Sequence, residues 1–256
     1  DRAVYQPLFH AFLFETAQYV LGAQQEVIHH RLAEQFKQLK QIDKAVQHLL
    51  AAGDSSEAAA LLASNTKLFF EQNRPTDLLM WIQNMPEKEQ NHPDILLSTA
   101  EVERRLLRLA VAQQHYSQAH KAYIELEDSA GQARALRGQA LIFLDTVNPA
   151  AALPLLKQAL KLMPPIFREE RVELVRLQSE NWTNAGRTDV ALLLEKTARR
   201  LSQETTLDVD TADLLYEHTE LPPRLLLRSG HLQEARIYLE RELGLDKDTE
   251  LGLSLI

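Results

Sequence analysis

Apolar residues recur at helical spacing along most of this chain, and the segment AVQHLLAAGD (45–54) shows the pattern clearly. Its apolar positions i, i+1, i+4 and i+5 share one face of a helix. Gly53 can end that helix in the left-handed conformation, and Asp54 can cap a following helix. The next residues, SSEAAALLA, restart the pattern, so the sequence predicts two helices separated by a tight turn.

The same arrangement recurs at intervals that indicate a repeat. The second helix of each predicted unit opens with a small or apolar residue, at Ala45, Leu78, Ala119, Ala152, Ala191 and Ala235. The intervals run from 33 to 44 residues and centre near the ~34 residues of a tetratricopeptide helix–turn–helix repeat. A second small residue follows seven positions later in three units, at Ala52, Ala159 and Ala198. Because seven residues are two helical turns, both small residues would face the partner helix.

We therefore predict an all-α protein whose tetratricopeptide-like helical hairpins stack in a right-handed superhelix. One hairpin cannot bury its apolar face alone, so neighbouring hairpins must stack. Only 8 Gly and 10 Pro occur among 256 residues, and the prevalent Ala, Leu, Gln, Glu, Lys and Arg favour helix. An irregular helical bundle is the alternative, because the intervals vary and one unit carries Leu78 where the others carry alanine.

The longest interval contains the segment LDVDTADLLYEHTELPP (207–223), which interrupts the regular pattern. Two consecutive prolines at its end either break a helix or begin one. We predict a hinge or irregular connection near Glu204 to Asp210, and a new helix that begins near Pro222.

The composition argues against several classes of function. A net charge of -8 disfavours non-specific nucleic-acid binding, and the absence of cysteine excludes disulfides and thiolate zinc sites. No apolar run approaches the roughly 20 residues of a membrane span, and the first residues do not resemble a signal peptide. We expect a cytoplasmic protein without membrane contact, and a fragment of a longer chain.

Two segments in order, YQPLFHAFL (5–13) and HLLAAGD (48–54), resemble a junction in one family. This family comprises the large ATP-dependent LuxR-type transcriptional regulators typified by the maltose-regulon activator. The first motif is matched by Tyr5, Pro7, Leu8, Phe9, Phe12 and Leu13. The second motif begins upstream of HLLAAGD, in VIHHRLAEQFKQLKQIDKAVQHLLAAGD (27–54). It is matched by Leu32, Ala33, Phe36, Ala45, His48, Leu49, Ala51, Ala52, Gly53 and Asp54. Gln6 replaces a histidine that is common in the family.

The resemblance implies a regulatory, sensor superhelix that receives a small-molecule inducer or a regulatory protein. It would control self-association and DNA binding of the full-length protein. ATP and DNA would bind to other domains, because this chain has neither a Gly-rich phosphate loop nor a basic helix-turn-helix. The implied domains are 1–20, the end of a winged-helix subdomain; 21–204, the superhelix; and 205–256, a hinge with a distal repeat. A generic tetratricopeptide-like interaction scaffold is the alternative.

We predict no catalytic site, because no nucleophile–base pair and no HExxH motif occurs. We also predict no metal site and no cofactor in this chain. His29 and His30 are adjacent, so their side chains point in different directions on a helix. Isolated histidines of this kind are more often solvated than ligands.

Candidate ligand-binding residues come from the repeat register, which assigns first-helix residues to the concave face of a tetratricopeptide stack. They are Arg104, Arg108, Arg134, Arg137 and Arg176. Trp182 is added as an aromatic candidate for the wall of the site, with packing in the core as its alternative. Arginine offers planar, charge-assisted donors for carboxylate or phosphate groups, which favours an anionic ligand or an acidic peptide. Under the other interpretation these arginines pair with neighbouring glutamates on a solvated face. Tyr216 is a further candidate for the wall of the site, and Trp81 is predicted to be core.

Overall fold

The computed structural model describes Phe9 and residues 23–203, 223–228 and 230–242. Every regular element in these ranges is an α-helix, which confirms the predicted all-α class for the described part of the chain. The chain divides into two compact units, Asp1–Ala119 and His120–Ile256. The predicted hinge near Glu204 to Asp210 and nearly all of the predicted segment 1–20 lie outside the described residues.

The first unit contains seven complete helices in its described part. They are α1 (Ala23–Gln38), α2 (Ile42–Ala51), α3 (Ser55–Ser64), α4 (Thr66–Glu71), α5 (Pro75–Gln83), α6 (Glu87–Gln90) and α7 (Pro93–Arg105). Helix α8 (Leu109–Glu125) begins in this unit and ends in the next. The described helices of the second unit are α9 (Ser129–Asp145), α10 (Pro149–Leu162), α11 (Arg168–Asn184), α12 (Thr188–Gln203), α13 (Pro223–Arg228) and α14 (Leu232–Glu242). The start of α13 at Pro223 agrees with the predicted helix near Pro222.

The helices pack as hairpins of neighbours in sequence. The extensively packed pairs are α1 with α2, α9 with α10, α11 with α12, and α13 with α14. Helix α10 also packs against α11, so the second unit forms a continuous series of hairpins. This arrangement confirms the predicted helix–turn–helix repeat. No described helix is long and apolar enough to cross a membrane.

A fully buried residue at the fourth position of each second helix fixes the repeat. These residues are Ala45, Leu78, Ala112, Ala152, Ala191 and Ala235. The prediction was wrong at Ala119, because Ala112 holds the equivalent position in α8. Ala119 lies two turns later on the same face and is also fully buried, so the two alanines are indistinguishable by spacing alone. Helix α2 ends at Ala51, so Ala52 lies beyond it and is only half-buried, unlike Ala159 and Ala198.

A left-handed residue precedes each of these buried positions by five residues. It is Lys40, Asn73, Leu107, Val147, Gly186 and Gly230, in chain order. Each turn has the Schellman pattern of two backbone hydrogen bonds. In the α9–α10 turn, for example, Val147 N donates to Leu144 O at 3.0 Å, and Asn148 N donates to Phe143 O at 2.7 Å. In all six hairpins, therefore, the turn lies at the same distance in sequence from the buried residue of the second helix.

Each unit has its own apolar core. In the first unit, the most deeply buried large side chains include Leu49, Leu62, Phe69, Leu78 and Ile95. In the second, they include Leu156, Met163 and Leu174. Trp81 packs against the first core while half-buried, and its Nε1 donates to Asp43 Oδ1 at 2.9 Å, in agreement with its predicted core role.

Replacing Val147 by glycine is expected to stabilise the protein. Val147 has φ 54°, a conformation that costs an L-residue about 1–2 kcal/mol. Glycine removes that cost but loses about 0.5–1 kcal/mol to its greater freedom in the unfolded chain. Urea unfolding should therefore show a net gain of roughly 0.5 kcal/mol. The reciprocal variant Gly186→Val should lose stability. A destabilised Val147→Gly protein would show that the left-handed turn does not strain Val147.

Candidate functional site

The predicted site residues fall into two groups, one in each compact unit. Arg104 lies on α7 and Arg108 in the turn that follows it, both within the first unit. Arg134 and Arg137 lie on α9 of the second unit. Arg176 and Trp182 lie on α11 of the same unit.

Glu101 is the centre of the first group. It accepts hydrogen bonds from Arg104 at 2.9 Å and from Arg105 Nε at 3.0 Å. The Tyr116 hydroxyl donates to its other oxygen at 2.7 Å, which joins α8 to α7. The Arg104 side chain is only 14% exposed. Arg104 is therefore largely buried in an ion pair within its own repeat.

These contacts alter the acidity of both partners. Burial alone raises the pKa of Glu101, but the hydrogen bonds and charge of Arg104, with the bonds from Tyr116 and Arg105, lower it to about 2. Burial and the adjacent Glu101 carboxylate raise the pKa of Tyr116. The carboxylate therefore stays ionised and the phenol stays protonated at neutral pH.

Arg108 pairs with a second glutamate in the same unit. Its guanidinium lies 3.2 Å from Glu103 Oε2. The Glu103 side chain is only 8% exposed, whereas the Arg108 side chain is 57% exposed. The guanidinium thus covers a buried carboxylate and still faces solvent.

In the second unit, arginines of α9 pair with glutamates of α11. Arg134 binds Glu170 through two parallel hydrogen bonds, Nε to Oε2 at 2.9 Å and a terminal nitrogen to Oε1 at 2.8 Å. Its guanidinium lies 5.2 Å from the centre of the Phe167 ring. Arg137 binds Glu173 at 2.7 Å. We call these two pairs the charged ladder.

Arg134 is held more firmly than Arg137. Hydrogen bonding to Glu170 raises the pKa of Arg134, although partial burial opposes the shift. Arg137 has only one described salt bridge, to a glutamate whose side chain is 51% exposed, and its Nε is buried without a hydrogen-bond partner. A bidentate pair is geometrically specific, whereas a single exposed contact exchanges easily with solvent or with another carboxylate.

Arg176 follows Glu173 by one helical turn and is exposed. Its charge acts on Glu195 of α12, a buried carboxyl group. Burial raises the pKa of Glu195, and its hydrogen bonding with Ser179 and the charges of Arg176 and Arg199 oppose this shift. Arg176 therefore lies next to the charged ladder in sequence, and its charge also acts on the buried Glu195.

Trp182 packs inside the second unit. It is half-buried against Ala191, Leu226 and Ala235, which belong to α12, α13 and α14. These contacts give it a packing role, and its predicted contact with a ligand stays a prediction. Tyr216 lies outside the described residues.

Buried polar residues on α11 were not singled out from the sequence. Gln178 and Asn181 donate to the backbone oxygens of Leu156 and Pro149 on α10, both at 3.2 Å. Ser179 donates to the Ala191 oxygen on α12 at 3.0 Å. These bonds hold α11 between its neighbours. The sequence REERVELVRLQSENWTN has few apolar residues, although this helix packs against a neighbour on two sides. A helix of that composition must bury polar side chains, and this was the available signal.

Comparison with known proteins gives structural likeness only. No family model and no curated protein matches the sequence. The TPR-like repeats of a kinesin light chain-like protein from Podosopora anserina share 16% identity, with 81% of this chain and 94% of that chain covered and a TM-score of 0.44. BtubC (BKLC) from P. vanneervenii shares 18% identity over 91% of this chain and 97% of that chain, with a TM-score of 0.46. These likenesses support no argument about binding or activity.

The stability of the first unit should depend on pH through Glu101. Its folded-state pKa of about 2 lies below the ordinary 4.5, so its contribution is complete above pH 4.5 and is lost as the pH falls towards 2. Glu101→Gln should cost up to about 3 kcal/mol at pH 7 and far less near pH 2.

Urea unfolding at pH 7, 4 and 2 measures this difference. Glu173→Gln is the matched control, because an exposed ion pair contributes at most about 1 kcal/mol. A Glu101→Gln variant whose deficit is the same at all three pH values would contradict the assignment.

Proposed function

We propose that this chain is a regulatory interaction domain that binds its partner through the exposed face of α9 and α11. The observation that carries the proposal is the charged ladder with Arg176 at its edge. The first helices of two successive hairpins present these side chains on neighbouring repeats. Helical-repeat proteins use such extended surfaces, shared between repeats, for binding.

The weaker pair of the charged ladder, Arg137–Glu173, can exchange its glutamate for a carboxylate of a binding partner. An exposed pair such as Arg137–Glu173 adds little to folding stability, so its loss on binding costs little. A carboxylate from a partner can replace Glu173 while Arg137 keeps a charge-assisted hydrogen bond. Arg176 adds a second cation three positions further along α11. We therefore favour an acidic peptide or an anionic small molecule as the ligand of this face.

We further propose that the parent protein is an ATP-dependent transcriptional regulator of the LuxR type. The support is the resemblance of YQPLFHAFL and HLLAAGD to the corresponding junction in that family. In the structure, HLLAAGD forms the end of α2 and the turn into α3. A small-molecule inducer or a regulatory protein would favour one of two arrangements of the parent protein, and self-association and DNA binding would follow that equilibrium.

A generic interaction scaffold fits the helical hairpins and the charged ladder about as well. The two proposals differ in what the rest of the gene encodes. The regulator requires a Gly-rich phosphate loop with Lys-Ser or Lys-Thr on the N-terminal side and a basic helix-turn-helix on the C-terminal side. Sequencing the gene upstream and downstream of this chain separates the two proposals. A gene that encodes neither the phosphate loop nor the helix-turn-helix excludes the regulator and leaves the scaffold.

Binding of an acidic probe tests the ladder directly. Calorimetric titration with a glutamate-rich peptide should show that the double variant Arg137→Ala, Arg176→Ala binds at least about 30-fold more weakly, or ~2 kcal/mol, if both contacts are charge-assisted. Folding should be nearly unchanged, because Arg176 is exposed and the half-buried Arg137 pairs with an exposed glutamate, and such pairs contribute little to stability.

Arg187→Ala is the matched control. Arg187 is an exposed arginine that pairs with Asp189 at the start of α12, away from the ladder residues in sequence. It removes one positive charge without touching α9 or α11. Equal affinities of the wild-type protein and the double variant would show that the ladder is a solvated face and would overturn this proposal.

A further inference from the structure

A cluster of ligand-type side chains lies in the first unit, where α1 meets the turn between α2 and α3. His30 belongs to α1, Asp54 is the N-cap residue of α3, and Glu57 lies in the first turn of α3. One potential ligand atom from each residue lies within 4.8 Å of the other two. All three side chains are half-buried, so they are in reach of solvent ions without being freely mobile.

The contacts of these residues leave ligand atoms available. Asp54 Oδ1 accepts a hydrogen bond from the Glu57 backbone N–H at 3.0 Å, which leaves Oδ2 for another role. Lys37 contacts only Oε1 of Glu57. Among the described residues, no hydrogen bond or ion pair involves the His30 ring. A half-buried imidazole without a partner, beside two carboxylates, is poorly explained by packing alone.

The donor set has a definite metal preference. One imidazole with two carboxylates suits Zn²⁺ and its neighbours among the transition metals, whereas Mg²⁺ and Ca²⁺ favour oxygen ligands alone. Zinc–ligand distances of about 2.1 Å place tetrahedral ligand atoms roughly 3.4 Å apart. The observed separation of up to 4.8 Å is close enough for side-chain rotation to close the cluster on an ion.

We propose that His30, Asp54 and Glu57 bind one Zn²⁺ ion, with water completing the coordination. The two carboxylates balance the charge of the ion, and the net charge of -8 of the chain favours cations in general. Three protein ligands leave the fourth coordination position to water, whereas closed structural sites have four protein ligands. The ion would connect α1 to the start of α3, so that it would stabilise the packing of the first hairpin on the next repeat.

Lys37 competes with an ion for the Glu57 carboxylate, because its ammonium group contacts both Glu34 and Glu57. Removing that charge with Lys37→Met should raise the affinity for zinc several-fold. A cluster that merely attracts counterions would show the same rise for any divalent cation, including Mg²⁺.

Calorimetric titration of the whole chain with ZnCl₂, and separately with MgCl₂, tests the site. The wild-type protein should bind one Zn²⁺ per chain and should bind Mg²⁺ at least tenfold more weakly. Two variants should each weaken zinc binding by at least about tenfold. They are His30→Ala and Asp54→Asn, and the second keeps the helix cap because asparagine caps as well as aspartate.

His29→Ala is the matched control, because His29 is the next residue on the same helix and pairs with His48 at 2.9 Å instead. It should bind zinc as the wild type does. Far-UV circular dichroism and melting without metal show that the variants are folded, and saturating zinc should raise the melting temperature of the wild type but not of His30→Ala. The proposal is overturned if the wild type binds no zinc at about 100 µM, because a bound ion stabilises the fold appreciably only at concentrations above its dissociation constant. It is equally overturned if His30→Ala binds zinc normally, or if His29→Ala loses binding to the same extent.

Discussion

The close contact at the fourth position of each second helix is the constraint on which the repeats depend. A buried alanine there lets two helices approach, and the left-handed residue five positions earlier sets where the chain reverses. The left-handed turn residue and the buried residue occur together in all six hairpins. The turn therefore places the buried residue at the contact between the two helices each time. Leu78 shows that the position tolerates a larger side chain in the unit built from α4 and α5, where the preceding helix has only six residues.

The sequence predicted the helices well because the repeat is local. Periodicity, turn residues and small residues all lie within one hairpin, and five of the six predicted opening positions are in place. The error at Ala119 arose because two alanines one heptad apart satisfy the same spacing, and only the turn at Leu107 decides between them.

The ion pairs were harder to anticipate. Arg134 and Arg137 find their glutamates 36 residues away, on the first helix of the next hairpin. The sequence offered several nearer acidic residues, so it left open whether these arginines face a ligand or a neighbour. The cluster around His30 was missed for the same reason. Judged along one helix, His29 and His30 diverge, and only the α2–α3 turn brings Asp54 and Glu57 to His30.

The local packing of the helices also affects how fast the chain folds. Most packing joins helices adjacent in sequence, and a topology built on such local contacts folds quickly because little loop-closure entropy opposes it. The α9–α10 hairpin has an added advantage, because Asp128 and Asn148 cap both of its helices through side-chain hydrogen bonds. In a repeat array folding can begin at any repeat and spread to its neighbours, so a hairpin with capped helices is a favourable place for it to begin.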